Sequence, residues 1–175
     1  MKKLLLVLTI TLTLNCCNND DDQPTNPIDQ LPPATQTGEN TFGCLLDGEA
    51  FIPSGGTNPL DCVYQFVNGE YYFGLQGNKR DQDNHLITIS LSTNALEINE
   101  SNYILRNNEF GNAYAGYLYA TLPSFTSLNY GGELTITKLD TENYIVSGTF
   151  WFNIEDQNGT VHEIREGRFD MHYSG

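Results

Sequence analysis

The stretch YIVSGTFWFNIE, residues 144–155, alternates two kinds of side chain with a period of two residues. Its even-numbered positions carry the larger apolar side chains, interrupted by one glycine: Tyr144, Val146, Gly148, Phe150, Phe152 and Ile154. Its odd-numbered positions are mixed: Ile145, Ser147, Thr149, Trp151 and Asn153. Successive side chains of a strand point to opposite faces. The pattern therefore predicts a strand with one buried face, as in an antiparallel sheet that packs on a core with one side only.

The next segment, residues 160–173, predicts the partner strand, but its apolar positions change phase. Ile164 is even-numbered, whereas the later core candidates are odd-numbered: Phe169, Met171 and Tyr173. Either the chain turns at Glu166 and Gly167, or Gly167 marks a bulge within one long strand, which shifts the alternation by one residue. The bulge is favoured because it pairs apolar residues with each other, such as Val146 with Phe169.

From residue 41 onward the chain repeats short runs rich in Tyr, Phe, Ile, Val and Thr, without a helical period. Asp47-Gly48 and Asn68-Gly69 are favoured pairs for two-residue hairpin turns, which need positive φ at both positions. Some eight or nine antiparallel strands must pack in two layers or close on themselves to cover their apolar faces. We predict one all-β domain, residues 41–175, with a β-sandwich architecture. A closed, lipocalin-like barrel is the alternative.

The N-terminus has the pattern of a secretory signal. Met1, Lys2 and Lys3 form a basic start, and residues 4–14 are an apolar run. This run is too short to cross a membrane, which takes about 20 residues. Residues 1–16 are therefore predicted to be a signal peptide.

Two adjacent cysteines follow the apolar run, and signals cut beside a cysteine resemble the bacterial lipoprotein type. Leu14 stands three residues before Cys17, and the small Cys16 stands directly before it. If Cys16 were the modified residue, Thr13 and Asn15 would fill those places. Cys17 is therefore the predicted lipid anchor, which would hold the protein on a bilayer by its acyl chains without spanning it.

Residues 17–40 are predicted to form a tether. They hold three consecutive aspartates, few large apolar residues and four of the seven prolines: Pro24, Pro27, Pro32 and Pro33. Such a segment buries too little surface to order itself and would reach about 70 Å at ~3.1 Å per residue. The aspartates serve either as a solvated charge run or as an export signal. In the second case they resemble the signal that sends Bacteroidetes-type lipoproteins to the outer face of the outer membrane.

The charge balance excludes one class of partner. The chain has 22 acidic and 8 basic residues and a net charge of −14, and two of the lysines are lost with the signal. Because phosphate contacts need Lys and Arg, we predict that the protein does not bind nucleic acid.

Cys44 and Cys62 are the two cysteines left in the mature domain. In an oxidising compartment an even number of cysteines favours a disulfide, so we predict a bond between them. Two free buried cysteines remain the alternative, since the bond requires a geometry that sequence alone does not give.

No catalytic constellation is visible in the sequence. The chain lacks a Gly-x-Ser-x-Gly elbow, and its histidines lack metalloprotease spacing. Asp81, Asp83 and Asn84 resemble the start of a calcium loop, but His85 and Leu86 do not continue it. We therefore predict a protein that is not an enzyme and holds no metal or cofactor.

Aromatic residues offer one candidate for ligand binding. Trp151, Tyr117 and Tyr119 are candidates for an exposed platform on which sugars stack, and Trp151 is the best of them because its neighbours Thr149 and Asn153 are polar. The competing interpretation is ordinary core and cross-strand packing.

Several segments resemble a family of small, uncharacterised Bacteroidetes-type lipoproteins: residues 31–53, GGELTITKLD (131–140), IVSGTFWF (145–152) and IREGRFDMHY (164–173). The resemblance implies an outer-membrane lipoprotein with one β-rich domain that faces the cell surface or, as the alternative, the periplasm. It implies no site residues.

We therefore expect a non-catalytic binding or envelope accessory module that is held on the membrane by its lipid and whose partner is a carbohydrate or an envelope protein. A small-ligand carrier with a hollow barrel is the second hypothesis, and a hydrolase is the third.

Overall fold

The computed structural model describes residues 26–56 and 58–175, and the regular secondary structure of this part consists of strands and one short helix. A short 3₁₀ helix, Pro27–Gln30, is followed by eleven strands: β1 (Thr41–Leu46), β2 (Glu49–Phe51), β3 (Leu60–Val67), β4 (Glu70–Arg80), β5 (Leu86–Asn94), β6 (Asn102–Leu105), β7 (Asn112–Tyr119), β8 (Leu122–Phe125), β9 (Gly132–Asp140), β10 (Ile145–Glu155) and β11 (Val161–His172). The predicted all-β class is confirmed. Within these ranges no helix has the length and apolarity to span a membrane. The predicted signal peptide, the anchor Cys17 and the aspartate run lie outside the described residues.

The strands form one sheet in the order β2-β1-β11-β10-β9-β6-β7-β5-β4-β3, with β8 paired to β7. All neighbours are antiparallel except β6 and β7. The sheet does not close, so the barrel alternative is wrong, and the expected eight or nine strands are also wrong. One missed strand is β8. The chain reverses at Ala120, which has a φ of 56°, and no glycine marks this turn in the sequence.

The sheet bends back on itself around one core. The Phe73 ring of β4 lies 6.4 Å from the Phe169 ring of β11, although many strands separate them in the sheet. The Phe42 and Phe150 rings are 5.3 Å apart. These aromatic side chains fill the middle of the molecule, where a small-ligand carrier would need a cavity.

β10 and β11 carry the bulge that the sequence predicts. Phe150 pairs with Gly167 and Phe152 with Ile164, so two residues of β11 oppose one residue of β10. The predicted register is wrong by two residues, because Phe169 lies opposite Gly148. This register places a glycine opposite each of two phenylalanine rings, where a larger residue would not fit. A Cβ at Gly148 would lie 2.7 Å from the Phe169 ring, and one at Gly167 would lie 2.5 Å from the Phe150 ring.

The predicted disulfide is not formed. Cys44 and Cys62 are both buried and free. Both thiols belong to the same core, but among the described residues no two cysteines lie at disulfide distance. Burial raises the pKa of both thiols far above the ordinary value, so both remain protonated and poorly reactive.

Residues 31–40, expected to belong to the tether, lie against the sheet. Leu31 is buried, and Pro32 covers Gly43 so closely that a Cβ there would lie 2.6 Å from the proline ring. Polar contacts to Asp170 complete the attachment. The tether prediction counted only the few apolar residues of this segment. It missed the hydrogen bonds to the Asp170 carboxylate, which contribute much of the attachment of residues 31–40 to the sheet.

Candidate functional site

The candidate site is a groove of about 510 Å³ on the outer face of β9, β10 and β11. The outer face carries the odd-numbered side chains of β10, since Phe150 and Phe152 point into the core. Three of these odd positions matter here: Ser147, Thr149 and Trp151. Residues 35–39 cover the face at Ser147, whereas it stays open at Trp151.

Trp151 is the largest side chain in the groove and is 46% exposed. The Arg165 guanidinium lies over its ring, 5.6 Å from the centroid. Arg165 is itself fixed, because it donates to the Phe152 carbonyl at 3.0 Å and to Asn153 Oδ1 at 2.6 Å. It also pairs with Glu163 at 3.3 Å. One face of the indole thus lies beside a guanidinium that is held in place by hydrogen bonds.

Polar side chains surround the indole in two cross-strand rows. Glu133 of β9 lies directly opposite Trp151, and Thr135 lies opposite Thr149. Arg168 of β11 lies on the other side of Thr149. Among the described residues, the side chains of Glu133, Thr135 and Thr149 form no hydrogen bond or ion pair. The groove therefore offers a free carboxylate and two free hydroxyls next to an aromatic ring.

The β11 bulge places both arginines in this groove. Residues three apart point to opposite faces of a regular strand, yet Arg165 and Arg168 both line the groove. The extra residue restores a common face, with Glu166 at a φ of 53°. Arg168 donates from Nε to the Glu166 carbonyl at 3.1 Å and pairs with its carboxylate at 3.3 Å.

Asp170 closes the other end of this face and is fully buried. Its carboxylate accepts five hydrogen bonds, from the hydroxyls of Thr35 (2.7 Å) and Ser147 (2.7 Å) and from the amides of Thr37 (2.9 Å), Gly38 (2.9 Å) and Glu39 (3.1 Å). Burial alone would raise the pKa of Asp170, but these donors outweigh it and hold the pKa far below the ordinary value. Asp170 thus fixes residues 35–39, and with them Ala34, which forms one wall of the groove.

The two predicted platform tyrosines do not join Trp151. Tyr117 is 6% exposed and belongs to the core, where its ring lies 4.5 Å from the His162 ring. Tyr119 is exposed, but it lies at the end of β7 and donates to Asp81. Sequence reasoning found Trp151 from its polar neighbours. It missed Glu133, Arg165 and Arg168, which only the cross-strand register and the bulge bring to the same place.

Comparison with family models, with curated proteins and with solved structures finds no match for this chain. The assignment of a function therefore depends on the chemistry of the groove. One aromatic ring, one unpaired carboxylate, two hydroxyls and a guanidinium converge on a concave surface, which is the general composition of a site that binds and orients a polar ligand.

Proposed function

We propose that the protein is a non-catalytic binding module whose Trp151 groove binds a carbohydrate. The observation that carries this proposal is the half-exposed Trp151 beside the unpaired side chains of Glu133, Thr135 and Thr149. A sugar ring has apolar C–H faces that pack on an aromatic ring, and its hydroxyls can donate to a carboxylate and accept from hydroxyls and guanidinium groups. Trp and Arg are also the residues that most often dominate binding surfaces.

We further propose that the module is a lipoprotein of the Bacteroidetes type, anchored through Cys17 to the outer membrane and facing the cell surface. The basic start, the apolar run and the Leu14–Cys17 spacing support this proposal. Only residues 18–26 separate Cys17 from the 3₁₀ helix, and they can span at most about 30 Å. The groove would therefore be held closer to the membrane than if the tether extended to residue 40.

In this proposal the bent sheet serves as a β-sandwich that presents an outer face, and no ligand enters its interior. The aromatic contacts across the core favour this arrangement over a carrier. The ligand would lie along the strands of β9 and β10, where successive outer residues repeat every ~7 Å.

The binding proposal is tested with the full-length protein in detergent on a panel of immobilised glycans. We expect the wild type to retain at least one glycan and Trp151→Ala to lose it. Phe110→Ala is the matched control, because Phe110 is an exposed aromatic residue outside the groove. Failure to bind any glycan, or equal binding by Trp151→Ala, would contradict the proposal.

The location is tested separately by labelling intact cells with a membrane-impermeant amine reagent. The wild type is expected to be labelled, and Cys17→Ser is expected to leave the membrane fraction. Protection of the wild type on intact cells, with labelling only after lysis, would place the domain on the periplasmic face.

A further inference from the structure

Three metal-ligating side chains meet at one edge of the molecule, away from the Trp151 groove. Asp81 and His85 lie in the turn between β4 and β5, and Tyr119 ends β7. β5 pairs with both β4 and β7, and Ile87 lies opposite both Lys79 and Tyr119. The register of the sheet therefore brings the turn next to the Tyr119 side chain, 34 residues along the chain from His85.

The turn holds its two donors in place through its own backbone. The Asp81 amide donates to the His85 carbonyl at 3.0 Å, and the His85 amide donates to Asp81 Oδ1 at 2.8 Å. Asn84 adopts a φ of 66° to close the turn. Arg80 is directed at the Asn84 carbonyl, 2.7 Å away. Because the His85 amide uses Oδ1 of Asp81 and Arg80 is directed at Asn84, Asp81 Oδ2 faces the side chains of His85 and Tyr119.

The three donor atoms form a nearly equilateral triangle. Asp81 Oδ2 lies 3.1 Å from the Tyr119 hydroxyl and 3.3 Å from His85 Nδ1, and the hydroxyl lies 3.3 Å from the same nitrogen. A tetrahedral ion with bonds of ~2.0–2.1 Å separates its ligands by about 3.3–3.4 Å. The triangle therefore already has the size of one face of such a coordination sphere.

We propose that Asp81, His85 and Tyr119 bind a divalent transition-metal ion such as Zn²⁺. One imidazole nitrogen and two oxygens suit this class of ion better than Ca²⁺ or Mg²⁺, which prefer oxygen ligands alone. Binding replaces the hydrogen bond from Tyr119 to Asp81 by a bond from each oxygen to the ion, and the Tyr119 hydroxyl proton is released to solvent. A fourth position stays open toward solvent, since the side chains of Asp81 and His85 are 24% and 46% exposed.

A search for clusters of His, Cys, Asp and Glu alone would overlook this site. Within the described ranges no three such side chains form a group that could hold a metal ion, and the third ligand here is a tyrosine. The calcium-loop resemblance of residues 81–84 ends at His85 and Leu86, whereas the site proposed here uses His85 as a ligand.

The test is a titration of the full-length protein in detergent with ZnCl₂, followed by calorimetry. We expect one Zn²⁺ per chain, and at least a tenfold loss of affinity in His85→Ala and in Tyr119→Phe. His172→Ala is the matched control, because His172 is also exposed but lies on β11. Co²⁺ substitution should give the intense visible absorption of a tetrahedral site in the wild type and lose it in His85→Ala.

Thermal unfolding without metal checks that each variant is folded, and His85→Gln serves if His85→Ala is not. Absence of Zn²⁺ binding by the wild type would overturn the proposal. Equal losses in His172→Ala and His85→Ala would overturn it too, as would Ca²⁺ binding as tight as Zn²⁺ binding. Retention of Zn²⁺ affinity by the folded His85 and Tyr119 variants would have the same consequence.

Discussion

The outer face of β10 and β11 is covered at its Asp170 end and open at its Trp151 end. Both ends follow the same alternation, and Ser147, Thr149 and Trp151 are successive outer positions of one strand. At the covered end a carboxylate accepts five hydrogen bonds and holds residues 35–39. At the open end the Glu133 carboxylate has no partner among the described residues. A carboxylate thus stabilises the fold at Asp170, where residues 35–39 cover it. At Glu133, where no segment covers it, the carboxylate is available to a ligand.

The largest expected effect is the loss of the covered end. Asp170→Asn replaces a carboxylate by a side chain with one acceptor oxygen, so several buried donors lose their partner. We expect the free energy of unfolding to fall by about 3 kcal/mol or more, measured by urea denaturation. Glu133→Gln is the control at the open end. Equal stability of the two variants would show that the Asp170 network contributes little.

The pH dependence sharpens the same contrast. The pKa of Asp170 is lower in the folded state, so its contribution to stability is complete above the unfolded value of ~3.9 and is lost as the pH falls toward the folded value. The stability gap between the wild type and Asp170→Asn should therefore be constant from pH 7 to 5 and shrink below about pH 4. Other aspartates also have lowered pKa values, so the gap between the two proteins is the quantity to measure. A gap that stays constant to pH 2 would contradict the assignment.

A smaller effect is expected at the bulge, which lies opposite Trp151 at the open end. A Cβ at Gly167 would lie 2.5 Å from the Phe150 ring, so Gly167→Ala should cost about 1–2 kcal/mol by overpacking. If the groove binds a glycan, this substitution should also weaken that binding, because the bulge positions Arg165 and Arg168. Gly74→Ala is the matched control on β4, where the added Cβ would meet nothing within 4 Å. Similar unfolding midpoints for the two variants would count against this account of the register.

What the sequence predicts about this face depends on how far apart the interacting residues are. The alternation and the nearby bulge are local; the alternation is confirmed from Val146 to Ile154 and the bulge is confirmed, whereas Tyr144 lies before the strand and is exposed. Four of the five partners of Asp170 lie more than 130 residues away in the chain, and no local pattern marks it as buried. The Cys44–Cys62 prediction was wrong for a related reason: composition suggested a bond, but the packing of distant strands decides whether two thiols lie at disulfide distance.

The smallest stability effect, and the largest effect on binding, is expected at the open end. Trp151 is half-exposed and Glu133 has no partner to lose, so Trp151→Ala and Glu133→Gln should each change the free energy of unfolding by about 0.5 kcal/mol or less. If the groove binds a glycan, both substitutions should reduce its affinity at least tenfold, because Trp151 supplies the stacking surface and Glu133 an acceptor beside it. Denaturation and glycan binding measured on the same samples separate these two effects. If Trp151→Ala and Glu133→Gln instead lower the stability but leave glycan binding unchanged, Trp151 is a structural residue. Both ends of the face would then stabilise the fold.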